Sequence, residues 1–192
     1  MLRAGDILEN PITGERLVFA ATAAETGGEC TVFDAYVWPH GSVAAPHVHP
    51  YQTELFEIRA GRIGVKLGRE KIEAVAGDVL TMHPGIPHQF WNAGDDELHF
   101  RATVTPSLEF ERLIETMFAL AIDGKTNKKG MPNPFRLAVI AQAHFDVVRL
   151  PGIPQALQRI ALAAGAPLGK ALGYAATYAP APAEPVVVGA AV

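Results

Sequence analysis

The stretch HVHPYQTELFEIRAG, from His47 to Gly61, sets two histidines one residue apart, then a glutamate inside an apolar alternation, then a glycine. In an extended chain, residues two apart point to the same side. His47 and His49 therefore project together, and Glu54, Phe56 and Ile58 share a face on the strand that follows. If that face is the interior, Glu54 is a buried carboxylate, and a buried charge has to be paired or coordinate a metal. Two imidazoles and a carboxylate converging on one interior point form most of a metal site.

Outward from this stretch the first half of the chain reads as strands. GERLVFAATA, GECTVFDAYVWP, TELFEIRA, GRIGVKLG, DVLTMHP, PHQFWN and DELHFRATVTP are short, rich in Val, Ile, Phe, Tyr and Thr, and mostly bounded by Gly, Pro, Asn or Asp. Such a series predicts a mainly β barrel or sandwich. Tight hairpin turns are expected at Gly61 and Gly94.

After Pro106 the period changes. Phe110, Leu113, Ile114, Met117, Phe118 and Ala121 recur at helical spacing, which predicts an amphipathic helix. Ser107 is its expected cap, Glu109 and Glu111 suit the positive end of its dipole, and Gly124 ends it. Asn133-Pro134 predicts a second cap and first turn, with a helix to about Val148. A third helix is expected from Pro154, with Leu157, Ile160, Ala161, Ala164 and Leu168 on one face and a kink or split at Gly165 and Pro167. The organisation expected is a β part over residues 1–105, a helical extension over 106–178 packed on the barrel or on a dimer partner, and an Ala/Pro-rich tail over 179–192.

Composition narrows the function classes. The 192 residues carry a net charge of -4 and no strongly basic stripe, which argues against a nucleic-acid partner. The single cysteine, Cys30, excludes an internal disulfide and a cysteine-built zinc site. A cytoplasmic location is the default, and MLRAGDILENP does not read as a secretory signal. The segment near Ala161 to Ala176 is interrupted by Lys170, so a membrane span is not expected. With Arg159 and Lys170 as its only cations, it is also a poor candidate for peripheral membrane binding.

A fourth ligand comes from GDVLTMHPGIPHQFWN, where His88 follows a Pro-Gly turn and shares a strand face with Phe90 and Asn92. Taken together, Gly41-x5-His47-x-His49-x4-Glu54-x6-Gly61 and Gly77-x5-His83-Pro84-Gly85-x2-His88-x3-Asn92 resemble the two motifs of the cupin superfamily, over roughly residues 28 to 104. The resemblance implies a small antiparallel, jelly-roll-like β-barrel with one divalent transition metal (Fe, Mn, Zn, Ni or Cu) held by His47, His49, Glu54 and His88. It also makes a homodimer a possible assembly. His83 stands where the family usually has proline. It is either a solvated turn residue or an acid/base group reaching the pocket.

Four ligands leave two positions open on a six-coordinate metal, which marks a catalytic rather than a structural site. The expected partner is a small carbonyl, enol or phenolic molecule. Dioxygenase-like oxidoreductase chemistry leads, with metal-dependent isomerisation or cyclisation and a non-catalytic binding module as alternatives. Glu54 is also a candidate base. Tyr36, Trp38, Phe56, Phe90 and Arg101 are candidate pocket residues, although core packing is the plainer reading of the aromatics. His40 reads as a loop residue, His144 as solvated, and His99 as open to either face. Lys125, Lys128 and Lys129 read as a solvated basic loop.

Overall fold

The computed structural model describes residues 2–43 and 45–179. The tail expected over 179–192 therefore lies outside the described residues, except for Ala179. Nine strands precede three helices: β1 Ile7–Asn10, β2 Glu15–Ala21, β3 Thr31–Val37, β4 Thr53–Ala60, β5 Arg62–Leu67, β6 Glu70–Val75, β7 Val79–Met82, β8 His88–Asn92, β9 Leu98–Thr105, α1 Phe110–Ile122, α2 Pro134–Ala143 and α3 Gln155–Ala171. The strands pair antiparallel in two sheets, of order β1-β2-β3-β9-β4-β7 and β6-β5-β8. The expected jelly-roll-like β architecture is present as these two sheets rather than as one continuously hydrogen-bonded ring. β1 and β6 were not anticipated; ILEN and EKIEAV expose most of their side chains and carry little apolar alternation.

The alternation in the central strands decides what faces inward. Thr31, Phe33, Ala35 and Val37 on β3 are buried, as are Leu98, Phe100, Ala102 and Val104 on β9, while their neighbours in sequence are half-exposed. Phe56, Phe90 and Phe100 form a cluster with ring centroids 4.5 to 5.7 Å apart. Each such fully buried side chain contributes roughly 1.5–3 kcal/mol. Gly61 closes the hairpin between β4 and β5 with a φ of 77°, a conformation that only glycine adopts without cost.

α1 begins at Phe110, with Glu109 in the cap position and no side-chain cap bond. The expected cap, Ser107, instead turns its hydroxyl to that of Thr31 at 3.0 Å. Glu111 reaches across to the Ala23 N–H (2.6 Å) and the Thr31 hydroxyl (2.7 Å), tying the helix to the β part. Gly124, at φ 64°, ends α1 as expected. Its N–H donates to Ala121, and the N–H of Lys125 donates to Leu120, the paired bonds of a left-handed helix stop.

Asn133 caps α2 by accepting from the Arg136 N–H at 3.0 Å, with Pro134 in the first turn. The helix stops at Ala143 rather than near Val148. The chain leaves it in order to pair Arg149 with Val48, through backbone bonds of 2.9 and 3.0 Å. α3 runs unbroken through Gly165 and Pro167. Its packing face is not the large apolar one. Leu157, Ile160 and Leu168 are more than half exposed, whereas Gln158, Ala166 and Gly169 are buried. A Cβ on Gly169 would sit 2.4 Å from the Phe135 carbonyl oxygen and 2.6 Å from Val139 Cγ2. The backbones of α2 and α3 thus meet where small residues allow it. Among the described residues, no helix is long and apolar enough to cross a membrane.

Candidate metal centre

Two backbone pairings bring the four predicted ligands together. His47 and His88 form an antiparallel bridge, each donating its N–H to the other's carbonyl at 3.0 and 2.9 Å. Glu54 lies on β4 opposite Val104 of β9 and Met82 of β7, so its side chain points into the space between the sheets. One ligand atom from each of His47, His49, Glu54 and His88 lies within 4.8 Å of the others. His49, Glu54 and His88 are almost fully buried, and His47 stands at the partly buried rim.

The three imidazoles are held in the same way. Nδ1 of His47 lies 2.9 Å from the Ala45 carbonyl, Nδ1 of His49 2.6 Å from that of Val147, and Nδ1 of His88 3.0 Å from that of Ile86. A carbonyl only accepts, so each Nδ1 carries the proton and each Nε2 presents a lone pair. Nε2 of His49 and of His88 are buried without a hydrogen-bond partner, although Glu54 oxygens lie 3.6 and 2.9 Å away. Buried lone pairs that aim at a carboxylate and are left unbonded fit a cation shared among them. The donor set of imidazoles and one carboxylate is compatible with a divalent transition metal.

The electrostatics agree with this arrangement. Burial by itself would raise the Glu54 carboxyl, but the imidazoles around it, His49 first, outweigh that and hold it down at about 2. Burial, followed by the neighbouring His49 and His88, pushes His47 down to about 3. Burial also works against the charged form of His88, yet the hydrogen-bonding and charge attraction of Glu54 raise it above its usual value. An ionised Glu54 and a neutral His47 are the forms that bind metal.

The cluster opens onto a cavity of about 440 Å³. Its walls are mostly apolar: Leu17, Phe33 and Phe100 from the large sheet, and Phe110, Leu113 and Met117 from α1. Phe90 lines it, as expected, while Phe56 lies behind Phe90 and Phe100. Phe110 stacks on Phe33 at 5.9 Å and meets the His49 ring at 6.1 Å. The helical extension is therefore part of the site: it forms one wall and supplies the Val147 carbonyl behind His49.

Several candidates fall elsewhere. Tyr36 and Arg101 are on the outer face of the large sheet, where Arg101 pairs with Asp34 at 2.5 Å and His99 stacks on Tyr36 at 4.4 Å. Strand alternation puts them there, because Leu98 and Phe100 take the inner positions. Trp38 is more than half exposed. His83 lies in the exposed turn before β8, and His40 in a loop at φ 65°. Lys125 pairs with Asp123 and Tyr178, and Lys128 and Lys129 are exposed. His144 is not solvated. It caps α2 at 3% exposure, because the segment after it folds back to pair Arg149 with Val48, and burial lowers its pKa. Glu15 was missed: it lies in the cavity wall on β2, on the same face as Leu17 and Phe19, and period-two spacing was the signal for it.

Two facing antiparallel sheets with a His/His/Glu/His cluster between them define a jelly-roll protein with a candidate metal pocket. Residues 34–105 match the family described as Cupin domain. No curated protein matches the chain. Similar solved structures include a predicted oxalate decarboxylase from Thermotoga maritima, with 19% identity over 55% of this chain and 98% of that one and a TM-score of 0.48. KdgF from Halomonas sp. gives 17% identity over 55% and 92%, with a TM-score of 0.47. An RmlC-like cupin from Shewanella frigidimarina gives 14% over 56% and 88%, with a TM-score of 0.48. Likenesses of this size carry neither substrate nor reaction to this chain.

Proposed function

We propose that this chain binds one divalent transition metal through His47, His49, Glu54 and His88 and acts on a small carbonyl, enol or phenolic molecule, with dioxygenase-like chemistry as the leading reaction class. The observation that carries this reading is the convergence of four ligand atoms within 4.8 Å at the wall of an apolar cavity of about 440 Å³. A metal held there supplies Lewis acidity and, if it is redox-active, a site for dioxygen. The chain's own part is to fix three Nε2 lone pairs through Nδ1–H bonds, to keep Glu54 ionised, and to surround the apolar body of the substrate with Phe33, Phe90, Phe100 and Phe110. A carboxylate held at about 2 is a weak proton acceptor near neutral pH. Charge and ligation are therefore Glu54's first roles, and general-base action is the lesser one.

Metal-dependent isomerisation or cyclisation is the alternative reaction. The apolar lining, with few polar groups, also favours a second reading as a non-catalytic module that binds a small molecule. A cytoplasmic homodimer belongs to the same proposal, with Leu157, Ile160 and Leu168 of α3 as the exposed face available to it; sedimentation at two concentrations reads it.

The test is metal analysis of untagged protein, followed by oxygen consumption over a panel of enolic and phenolic compounds. The proposal expects about one metal per chain, lost in His49→Ala, and turnover that stops without oxygen. Turnover that persists without oxygen selects isomerisation. Ligand-induced thermal shifts without any turnover select the binding module. Full metal content in a His47→Ala, His88→Ala double variant refutes the site.

A further inference from the structure

The cavity has a second polar end. Glu15 opens β2 and is paired in register with Asn10 of β1 on one side and with Val37 of β3 on the other. Both Glu15 and Asn10 line the cavity, at 8% and 4% exposure. Across the large sheet, Glu54 aligns through Val104 with Thr31. Thr31 and Val37 are six residues apart on β3, or about 20 Å along the strand at ~3.3 Å per residue. The metal cluster and Glu15 thus stand toward opposite ends of one cavity, with Leu17, Phe33 and Phe100 between them.

The other polar side chains in the wall are already engaged. Arg149 is bound to the Phe145 carbonyl, Gln155 and Asp146, and Gln158 to the backbone of Leu150 and Ile153. Glu15 faces no such partner set: among the described residues no basic side chain forms an ion pair with it, and the neighbouring Thr13 hydroxyl offsets only part of its burial, which drives its carboxyl up to about 7. The Asn10 side-chain oxygen accepts from the Ile12 and Thr13 N–H groups, and no described residue accepts from its amide nitrogen. An acid with spare acceptor capacity and an amide with spare donor capacity thus stand side by side in the wall of an otherwise mostly apolar cavity. A ligand group that hydrogen-bonds to them replaces the solvent these groups meet there.

We propose that Glu15 and Asn10 form a second subsite, which binds the hydroxyl or amine end of an elongated molecule whose apolar body fills the cavity toward the metal cluster. A hydroxyl donates to the Glu15 carboxylate and accepts from the Asn10 amide, whereas an amine, protonated, donates to the carboxylate and packs against the amide. This deepens the function proposed above by giving the substrate a polar group at the end distant from the metal, and it rests on that reading only for what happens at the metal end.

The experiment uses the full-length chain as purified, with straight-chain primary amines and primary alcohols of about eight to twelve carbons as probes, a size suited to a cavity of this class. Affinity is read by calorimetry for wild type, Glu15→Leu, Glu15→Gln and His49→Ala. The proposal expects Glu15→Leu to weaken amine or alcohol binding by about 30-fold or more, as for the loss of one partner of a buried polar pair. Glu15→Gln, of nearly the same shape, is expected to retain alcohol binding better than amine binding, and it controls for misfolding of the leucine variant. His49→Ala, which removes the proposed metal, is expected to keep amine affinity within a few-fold. Equal affinity of wild type and Glu15→Leu for both probes overturns the subsite. Binding that is lost in His49→Ala but intact in Glu15→Leu places the polar end at the metal and also overturns it. Metal loss in His49→Ala without any effect of Glu15→Leu leaves the function proposed above standing while this inference fails.

Discussion

Removing the helical extension by a stop after Pro106 should weaken metal binding even though all four ligands remain. The reason is the 2.6 Å bond from His49 Nδ1 to the Val147 carbonyl, 98 residues away in sequence. That bond sets the tautomer and the ring angle of His49, and Phe110 holds the other side of the ring at 6.1 Å. Loss of such an outer partner typically costs 10–100-fold in metal affinity, or about 1.4–2.7 kcal/mol. The backbone pairing of Val48 with Arg149 is lost as well, so the larger end of the range is expected. A chromophoric chelator competed against Zn(II) or Mn(II), on freshly prepared truncated and full-length protein, measures the difference. The truncation also uncovers Phe33 and Phe100, so a lowered melting temperature and aggregation on standing are expected. A truncated protein that stays soluble, melts at the same temperature and binds metal with unchanged affinity would refute the claim that the extension completes the site.

Other expectations follow from single features. Burial drives the Glu15 carboxyl from the ordinary 4.5 up to about 7, so the folded state holds the extra proton between these values, and the contribution of this group to stability is full below about 4.5 and lost as pH rises through 7. Glu15→Gln should therefore gain roughly 3 kcal/mol relative to wild type at pH 8 and little at pH 4.5, as read by denaturant titration at both pH values; a pH-independent difference contradicts the assignment. Metal affinity should fall as pH drops through the raised pKa of His88, since protons compete there first, and chelator competition across that range shows it. Gly169→Ala gains helix propensity of about 1 kcal/mol but drives a Cβ to 2.4 Å from the Phe135 carbonyl oxygen. A net loss of about 1–3 kcal/mol is expected, and a stabilised variant would show that the two helices are not in backbone contact.

What could be read in advance depended on whether a residue's role was local. That His47, His49, Glu54 and His88 come together was legible because strand period two puts His47 and His49 on one side and because the two stretches resemble the cupin motifs, and α1 was legible because its apolar residues recur at helical spacing. The readings that failed were set by distant contacts. Nothing near His144 in sequence shows that the following segment returns to pair with Val48, which buries it. α3 was read by its largest apolar residues, yet it packs through Ala166 and Gly169, because the close approach of two backbones favours the absence of a side chain over its hydrophobicity. Glu15 stands at the start of a strand after a glycine, where a charged residue ordinarily marks a turn. Its period-two spacing with Leu17 and Phe19 gives the face, and the two strands that flank it make that face part of a wall.

The contact of α3 with α2 divides the helix into two regimes of tolerance to sequence change. At Gly165 an added Cβ meets Ala138 at 3.2 Å, and at Gly169 it meets backbone, so drift at these positions is confined to the smallest side chains. Leu157, Ile160, Leu168 and Leu172, more than half exposed, have no such restriction from the fold of one chain. Among natural variants of this extension, the small residues should therefore stay fixed whatever the protein does. Whether the large ones stay apolar reports on a partner: retention of leucine or isoleucine there signals a surface that is covered in the cell, and replacement by polar residues signals a helix that faces water.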